Sequence, residues 1–325
     1  MESLKVLFIT TDEELNSQSI DRKQGDYHEN VALIGLRKLL GENCVDFPRK
    51  RILYHDWSNV AKENLHGRGF SLYHEPIADI PDSARNLDQD FDVILYGTSF
   101  NYGMKDLPEL EKRCKLKFYI DGNDLYGQAP NNKYLVYDGE RVIGTQIEPC
   151  FKTQLLEASE NVFPFGCGLP ESRILPINLE NKSEWLQNSY PYEAYFLNKE
   201  SFRGHYKYSD EEEYYKNLAS SWFGISCKRG GWDAMRNYEI IAAGSVLLYR
   251  DYDKKPALCS PGDMPAISYS SLEELRDIAN RLVVNFDATD EYIDILNRQR
   301  EWLINNGTTE ARARYIIKVL KGFLK

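Results

Sequence analysis

Short apolar runs alternate with helical periodicities along the chain. Lys5–Thr11 reads as a buried strand, Glu29–Leu40 as an amphipathic helix ended by Gly41, and Cys44–Phe47, Phe91–Gly97 and Lys117–Asp121 as further strands. The second half keeps the style. Ala194–Leu197, Trp222–Ser226, Ser245–Tyr249 and Ala266–Tyr269 read as strands, and Leu272–Val283 and Glu291–Ile304 as helices before a closing helix around Arg312–Leu320. Ser209 with Glu212 and Ser271 with Glu274 have the spacing of capping boxes, in which a hydroxyl and a carboxylate satisfy orphan N–H groups reciprocally. Strand–helix alternation of this kind predicts an α/β protein with parallel sheets covered on both faces. The Asn- and Ser-containing stretch Asn178–Pro191 is the expected linker.

At 325 residues the chain exceeds an ordinary single domain, so two domains are expected. No apolar run approaches the ~20 residues that span a bilayer, and the start enters a strand without a signal-peptide pattern, which sets the expectation of a cytoplasmic protein. Forty basic against fifty acidic side chains give a net charge of −10, which disfavours broad binding to nucleic acid but permits a local basic site. The six cysteines are dispersed, with no Cys-x-x-Cys pair and no histidine at zinc spacing, and read as reduced structural thiols; no metal site is expected.

The most chemically loaded stretch is Cys227–Tyr249. It opens with a basic Gly-rich turn, runs as a short helix over Ala234–Ala243, stops at Gly244 and returns as a strand. Lys228 and Arg229 bring positive charge, Gly230 and Gly231 let a ligand approach the backbone, and the following helix N-terminus offers unpaired N–H groups. Arg236 and Glu239 share a helix face. A guanidinium suits a diphosphate and a carboxylate suits ribose hydroxyls. The same residues also fit a solvated turn and an ordinary helical ion pair.

The segment Arg236-Asn-Tyr-Glu-Ile-Ile-Ala-Ala-Gly-Ser-Val-Leu resembles the R-x-x-E-x-x-A-x-G-x-x-P signature in the C-terminal domain of GT-B glycosyltransferases, of the group-1-like and exostosin-like kinds. Two positions depart from it: Gly231 stands where retaining members carry a further glutamate, and Leu247 replaces the usual proline. Phe118-Tyr-Ile-Asp-Gly-Asn-Asp124, and Cys150-Phe-Lys-Thr followed by Phe163-Pro-Phe-Gly, are similar to N-terminal-domain segments of such proteins. The resemblance implies two Rossmann-like domains facing a central cleft: 1–177 on the acceptor side, 178–308 on the donor side, and a closing helix, 309–325, that returns to the first domain. It implies a nucleotide-diphosphate sugar as substrate, no other cofactor, and a donor set of Lys228, Arg229, Gly230, Gly231, Arg236, Tyr238 and Glu239, with Glu239 on the ribose.

Ligands of open α/β sheets bind beyond the carboxyl ends of the strands, so the acceptor side should use the loops Thr10–Glu29, Gly97–Gly103 and Asp121–Gly127. Sugar transfer leaves negative charge on the diphosphate, which Lys228, Arg229 and Arg236 would stabilise. An inverting reaction also needs a base for the acceptor proton, and Asp26, His28, Asp121 and Asp124 are the candidates; turn formation and helix capping explain the same residues without catalysis. The expected function is transfer of a sugar to a saccharide or other hydroxylated acceptor. Transfer to modified nucleic-acid bases and a non-catalytic nucleotide-sugar-binding module are the alternatives. The basic, amphipathic closing helix also admits contact with a membrane surface.

Overall fold

The computed structural model describes residues 4–10, 26–54, 65–73, 77, 85–97, 105–122, 124, 126–128, 135–138, 141–144, 149–157, 159–186 and 208–325. Two parallel sheets carry the architecture. The first contains β1 (Val6–Ile9), β2 (Cys44–Phe47), β3 (Phe91–Tyr96) and β4 (Cys114–Asp121). After a small antiparallel sheet of β5 (Gly127–Gln128), β6 (Leu135–Asp138) and β7 (Arg141–Gly144), it continues with β8 (Cys150–Lys152) and β9 (Val162–Pro164). Its order is β2-β1-β3-β4-β8-β9, parallel throughout. The second sheet has β10 (Glu184–Leu186), β11 (Ser221–Cys227), β12 (Val246–Arg250) and β13 (Ile267–Tyr269) in sequential order, again parallel.

The helices are α1 (Tyr27–Leu40), α2 (Leu107–Lys112), α3 (Glu211–Ser220), α4 (Met235–Ala242), α5 (Leu272–Leu282), α6 (Asp290–Asn306) and α7 (Thr309–Phe323), with a short hairpin of β14 (Val283–Val284) and β15 (Asp287–Ala288) between α5 and α6. Strand alternation shows why both sheet faces need cover. In β1, Val6 and Phe8 enter the core shared with α1, whereas Leu7 and Ile9 enter a separate core closed by Leu107 and Leu110 of α2. In β12, Val246 and Leu248 face α5 and α6, while Leu247 and Tyr249 join α4 in the main core.

Most expected elements lie within a few residues of their predicted bounds. Ser271 caps α5, accepting the Glu274 N–H at 3.1 Å. The cap predicted at Ser209 lies one residue later: Asp210 accepts the Glu213 N–H at 2.9 Å. Asp is as good an N-cap as Ser, and the Glu211–Glu213 run supports either register. Asn178–Pro191 is not wholly a linker. It contains β10, whose Trp185 stacks on Phe223 (centroids 6.5 Å apart), an edge strand hidden among polar neighbours. The strand predicted at Ala194–Leu197 lies outside the described residues.

The first core is continuous with the second half. Gly35 of α1 meets α7 so closely that a Cβ there would clash with the Thr309 backbone and come within 2.9 Å of Ala313 Cβ. Lys38 and Glu310 pair at 2.6 Å beside this contact, and Leu169 exchanges backbone hydrogen bonds with Gly307 and Thr309 at 3.1 and 2.9 Å. Among the described residues no helix is long and apolar enough to cross a membrane.

Candidate active site

The carboxyl ends of β4 and β8 in the first sheet and of β11 in the second converge on one region. On the second-sheet side, β11 is buried up to Ser226, and the chain then turns through Lys228, Arg229 and Gly230, all exposed, before Gly231 and Trp232 go back under cover. Trp232 anchors the turn. Its ring stacks on Tyr249, its carbonyl accepts the Tyr249 hydroxyl at 2.7 Å, and its indole N–H donates to Tyr126 at 3.2 Å. The Lys228 ammonium lies 5.3 Å from the Tyr126 ring and 5.6 Å from the Trp232 ring, a cation–π arrangement that holds the charge at the surface. Helix α4 then starts from Ala234, which supplies no side-chain cap to the first-turn N–H groups.

The glycines are required by close approach. A Cβ on Gly230 would clash with Asp124 Oδ2, and one on Gly231 would lie 2.5 Å from Asp124 Oδ1 and 2.7 Å from Gln154 Nε2. The carboxylate of the first half thus rests directly on the Gly-Gly backbone.

Along α4 the motif residues separate. Glu239 is buried: Oε2 accepts the Tyr214 hydroxyl at 2.6 Å and Oε1 accepts the hydroxyl of Ser71 from the first half. Burial raises its carboxyl pKa, and the two hydroxyls and the Arg236 charge only partly offset this. Ser71 sits at φ 68°, and its N–H donates to Glu211 at 2.7 Å. Glu211 is in turn held by Arg173, whose guanidinium covers the Tyr215 ring at 4.1 Å. Tyr238, next to Glu239 in sequence, points the other way. It is fully buried, donates to Asp233 Oδ1 at 3.0 Å and accepts from Arg312 at 3.2 Å.

The first-sheet wall carries the proposed bases. Asp26 caps α1, accepting the Glu29 N–H at 2.9 Å. His28 is buried in the first turn of α1, with Nε2 3.3 Å from Cys167 Sγ and 3.8 Å from Asp233 Oδ2, while Nδ1 lies against Gly122. Burial opposes the imidazolium, but the bond to Asp233 and the carboxylates of Asp26 and Asp124 outweigh it, so the His28 pKa is raised. Asp233 responds in reverse. Burial would raise its pKa, but His28 and the Cys167 N–H at 2.6 Å hold it below the usual carboxylate range. Asp121, at the end of β4, pairs at 3.1 Å with Lys152 at the end of β8. Lys152 is fully buried, and burial lowers its ammonium pKa against the pull of Asp121. Asp124 is exposed at its outer side, yet its pKa is raised by partial burial and by the Asp233 and Asp26 charges, against His28 and Lys152.

His28, Cys167 and Asp233 each bring one ligand-type atom within 4.8 Å of the others, which makes them the group among the described residues able to hold a metal ion. Both Cys167 and Asp233 address the same ring nitrogen, and the His–Asp charges already balance each other.

The fold therefore brings His28, Asp121 and Asp124 to the same region as the Lys228–Gly231 turn, places Arg236 and Glu239 on the adjacent helix, and turns Tyr238 inward. Much of the Thr10–Glu29 and Gly97–Gly103 loops lies outside the described residues. Sequence reading did not identify Ser71, Gln154, Cys167 or Asp233, each of which has a partner distant in the chain.

No family model matches the sequence, and no curated protein matches it significantly. Solved structures do resemble it. AviGT4, a glycosyltransferase involved in avilamycin A biosynthesis, superposes with a TM-score of 0.53 at 11% identity, covering 99% of this chain and 98% of that one. A glycosyltransferase from Rickettsia africae ESF-5 gives a TM-score of 0.50 at 11% identity with full coverage of both chains. At such identities the likeness concerns the fold, which is of the GT-B type, with two parallel α/β sheets.

Proposed function

We propose that the protein is a glycosyltransferase that moves a sugar from a nucleotide-diphosphate sugar to a saccharide or other hydroxylated acceptor. The observation that carries this reading is the turn through the exposed Lys228, Arg229 and Gly230 to the buried Gly231, set at the carboxyl end of β11, ahead of an uncapped helix N-terminus and opposite a wall of carboxylates. Phosphate oxygens favour fixed cations and backbone N–H groups; the transferred sugar would face the first sheet.

In the reaction an acceptor oxygen attacks the anomeric carbon, and the bond to the diphosphate breaks with its electron pair leaving on the phosphate. Lys228, Arg229 and Arg236 stabilise that growing charge without a divalent ion. In an inverting transfer the acceptor proton passes to a base on the opposite wall. Asp26 is engaged as a cap, Asp121 with Lys152, and His28 with Asp233, so Asp124, exposed and beside the turn, is the best placed of the four. Glu239 takes the ribose once Ser71 yields its place.

Thermal stabilisation against UDP-, GDP-, ADP-, CMP- and dTDP-sugars tests the reading. A ligand at 100 times its Kd adds about 2.7 kcal/mol, so the cognate donor should raise Tm by several degrees. If none of them shifts Tm, the donor assignment is wrong.

A further inference from the structure

Gln154 follows the end of β8 and is fully buried. Its Oε1 accepts the Trp232 N–H at 3.2 Å, which fixes the plane of the amide against the Gly-Gly turn. Fixing one end aims the other. Nε2 is buried and has no hydrogen-bond partner among the described residues, and it lies 2.7 Å from the point a Cβ on Gly231 would occupy. An amide that keeps one end paired and holds the other, with two N–H donors, dry and unpaired costs free energy unless something arrives to accept from it. Asp124 Oδ1 lies 2.5 Å from the same point, so the donor and the acceptor are no more than about 5.2 Å apart, a span that one hydroxyl oxygen beside the Gly231 backbone can bridge.

This pairing selects a ligand chemistry. A phosphate oxygen would accept from Gln154 but be repelled by the Asp124 carboxylate. A hydroxyl accepts from Gln154 Nε2 and donates its own hydrogen to Asp124 Oδ1, satisfying both groups. We propose that Gln154 and Asp124 form a hydroxyl subsite over Gly231 that binds the transferred sugar of the donor, with Gln154 as its specificity-determining residue. The assignment rests on the nucleotide-sugar reading above. It divides the turn: the Lys228–Arg229 side takes diphosphate, and the Gly231 side takes a neutral sugar hydroxyl.

Calorimetry on the full chain tests this, using UDP-glucose against UDP, and GDP-mannose against GDP, on the wild type and on Gln154→Leu and Gln154→Glu. Gln154→Glu keeps an acceptor for the Trp232 N–H, so it preserves the turn anchor while removing the free donor. In both variants the sugar nucleotide bound by the wild type should weaken about tenfold, the loss of one buried hydrogen bond, while the bare nucleotide stays within about twofold. Equal weakening of nucleotide and sugar nucleotide, or unchanged sugar-nucleotide affinity in both variants, would overturn the subsite. A wild type that binds neither these four ligands nor an ADP-, CMP- or dTDP-sugar would overturn the nucleotide-sugar reading, and the subsite with it.

Discussion

Ser71 donates its hydroxyl to the carboxylate of Glu239, so the group that the GT-B-like motif assigns to a ribose is satisfied from within the chain by a residue of the other half. Tyr214 holds the second oxygen, at 2.6 Å. If Glu239 binds ribose, that ligand competes with Ser71. Ser71→Ala should then bind the donor several-fold more tightly, while Glu239→Ala should lose roughly 1.5–3 kcal/mol of donor affinity, the worth of a hydrogen bond to a charged group. Calorimetry on both variants reads this directly. Weaker binding in Ser71→Ala would show that the hydroxyl supports the site instead of occupying it.

Lys228, Arg229 and Arg236 should act on the departing diphosphate. Their attraction grows as charge develops there, so Lys228→Ala and Arg229→Ala should lower kcat as well as donor affinity, whereas a uniform binding contact would only raise KM. Arg236→Lys should restore little, because the bidentate fork is gone. Wild-type kcat in all three variants would reduce the turn to a solvated loop.

On the proposed donor placement, side-chain cations and helix N–H groups would face the phosphates, so turnover should need no added Mg²⁺ or Mn²⁺ and should persist in EDTA. The rescuing ion identifies the fault if activity is lost. Restoration by Mg²⁺ or Mn²⁺ would put a metal at the diphosphate, and restoration by Zn²⁺ alone would put one at His28, Cys167 and Asp233, whose donor set suits that ion.

The His28–Asp233 pair should make stability depend on pH with a definite sign. His28 has a raised folded pKa, so its contribution is fully present below its unfolded value of 6.5 and is lost as pH rises through the folded value. Asp233 has a lowered one, so its share is present above 3.8 and is lost as pH falls through its folded value. The stability gap between wild type and His28→Gln, followed by denaturant titration, should therefore be widest in weak acid and shrink toward pH 9. Breaking a buried pair is worth about 3–5 kcal/mol at its maximum. A gap that stays constant from pH 6 to 9 would mean that folding does not shift the imidazole pKa.

Local signals carried the reading where the determinant was local. Apolar runs marked β1, β2 and β3, and Gly41 marked the end of α1, because burial on two faces and a positive φ leave their trace in neighbouring residues. The Lys228–Gly231 turn was legible for the same reason. Asp233 was not, because its importance depends on His28 and Cys167, which arrive from α1 and from the segment after β9. Gln154 was invisible too: only the fold shows that one end of its amide is held and the other left bare. Tyr238 shows the converse limit, since adjacency to Glu239 in sequence puts the two side chains on different sides of α4.

The seat of α7 on α1 reaches into how the molecule is made. The face of α1 around Gly35 is closed by Thr309 and Ala313, residues that leave the ribosome long after α1 does. At ~5–20 residues per second, α1 waits roughly 15–55 s for its cover. Once β9 is made, the first sheet has its strands for the rest of that interval but lacks the cover that α7 gives to α1. A fragment cut at residue 177 should reproduce this unfinished state permanently, exposing apolar surface and aggregating, and a peptide spanning 305–325 supplied in trans should bring it back into solution.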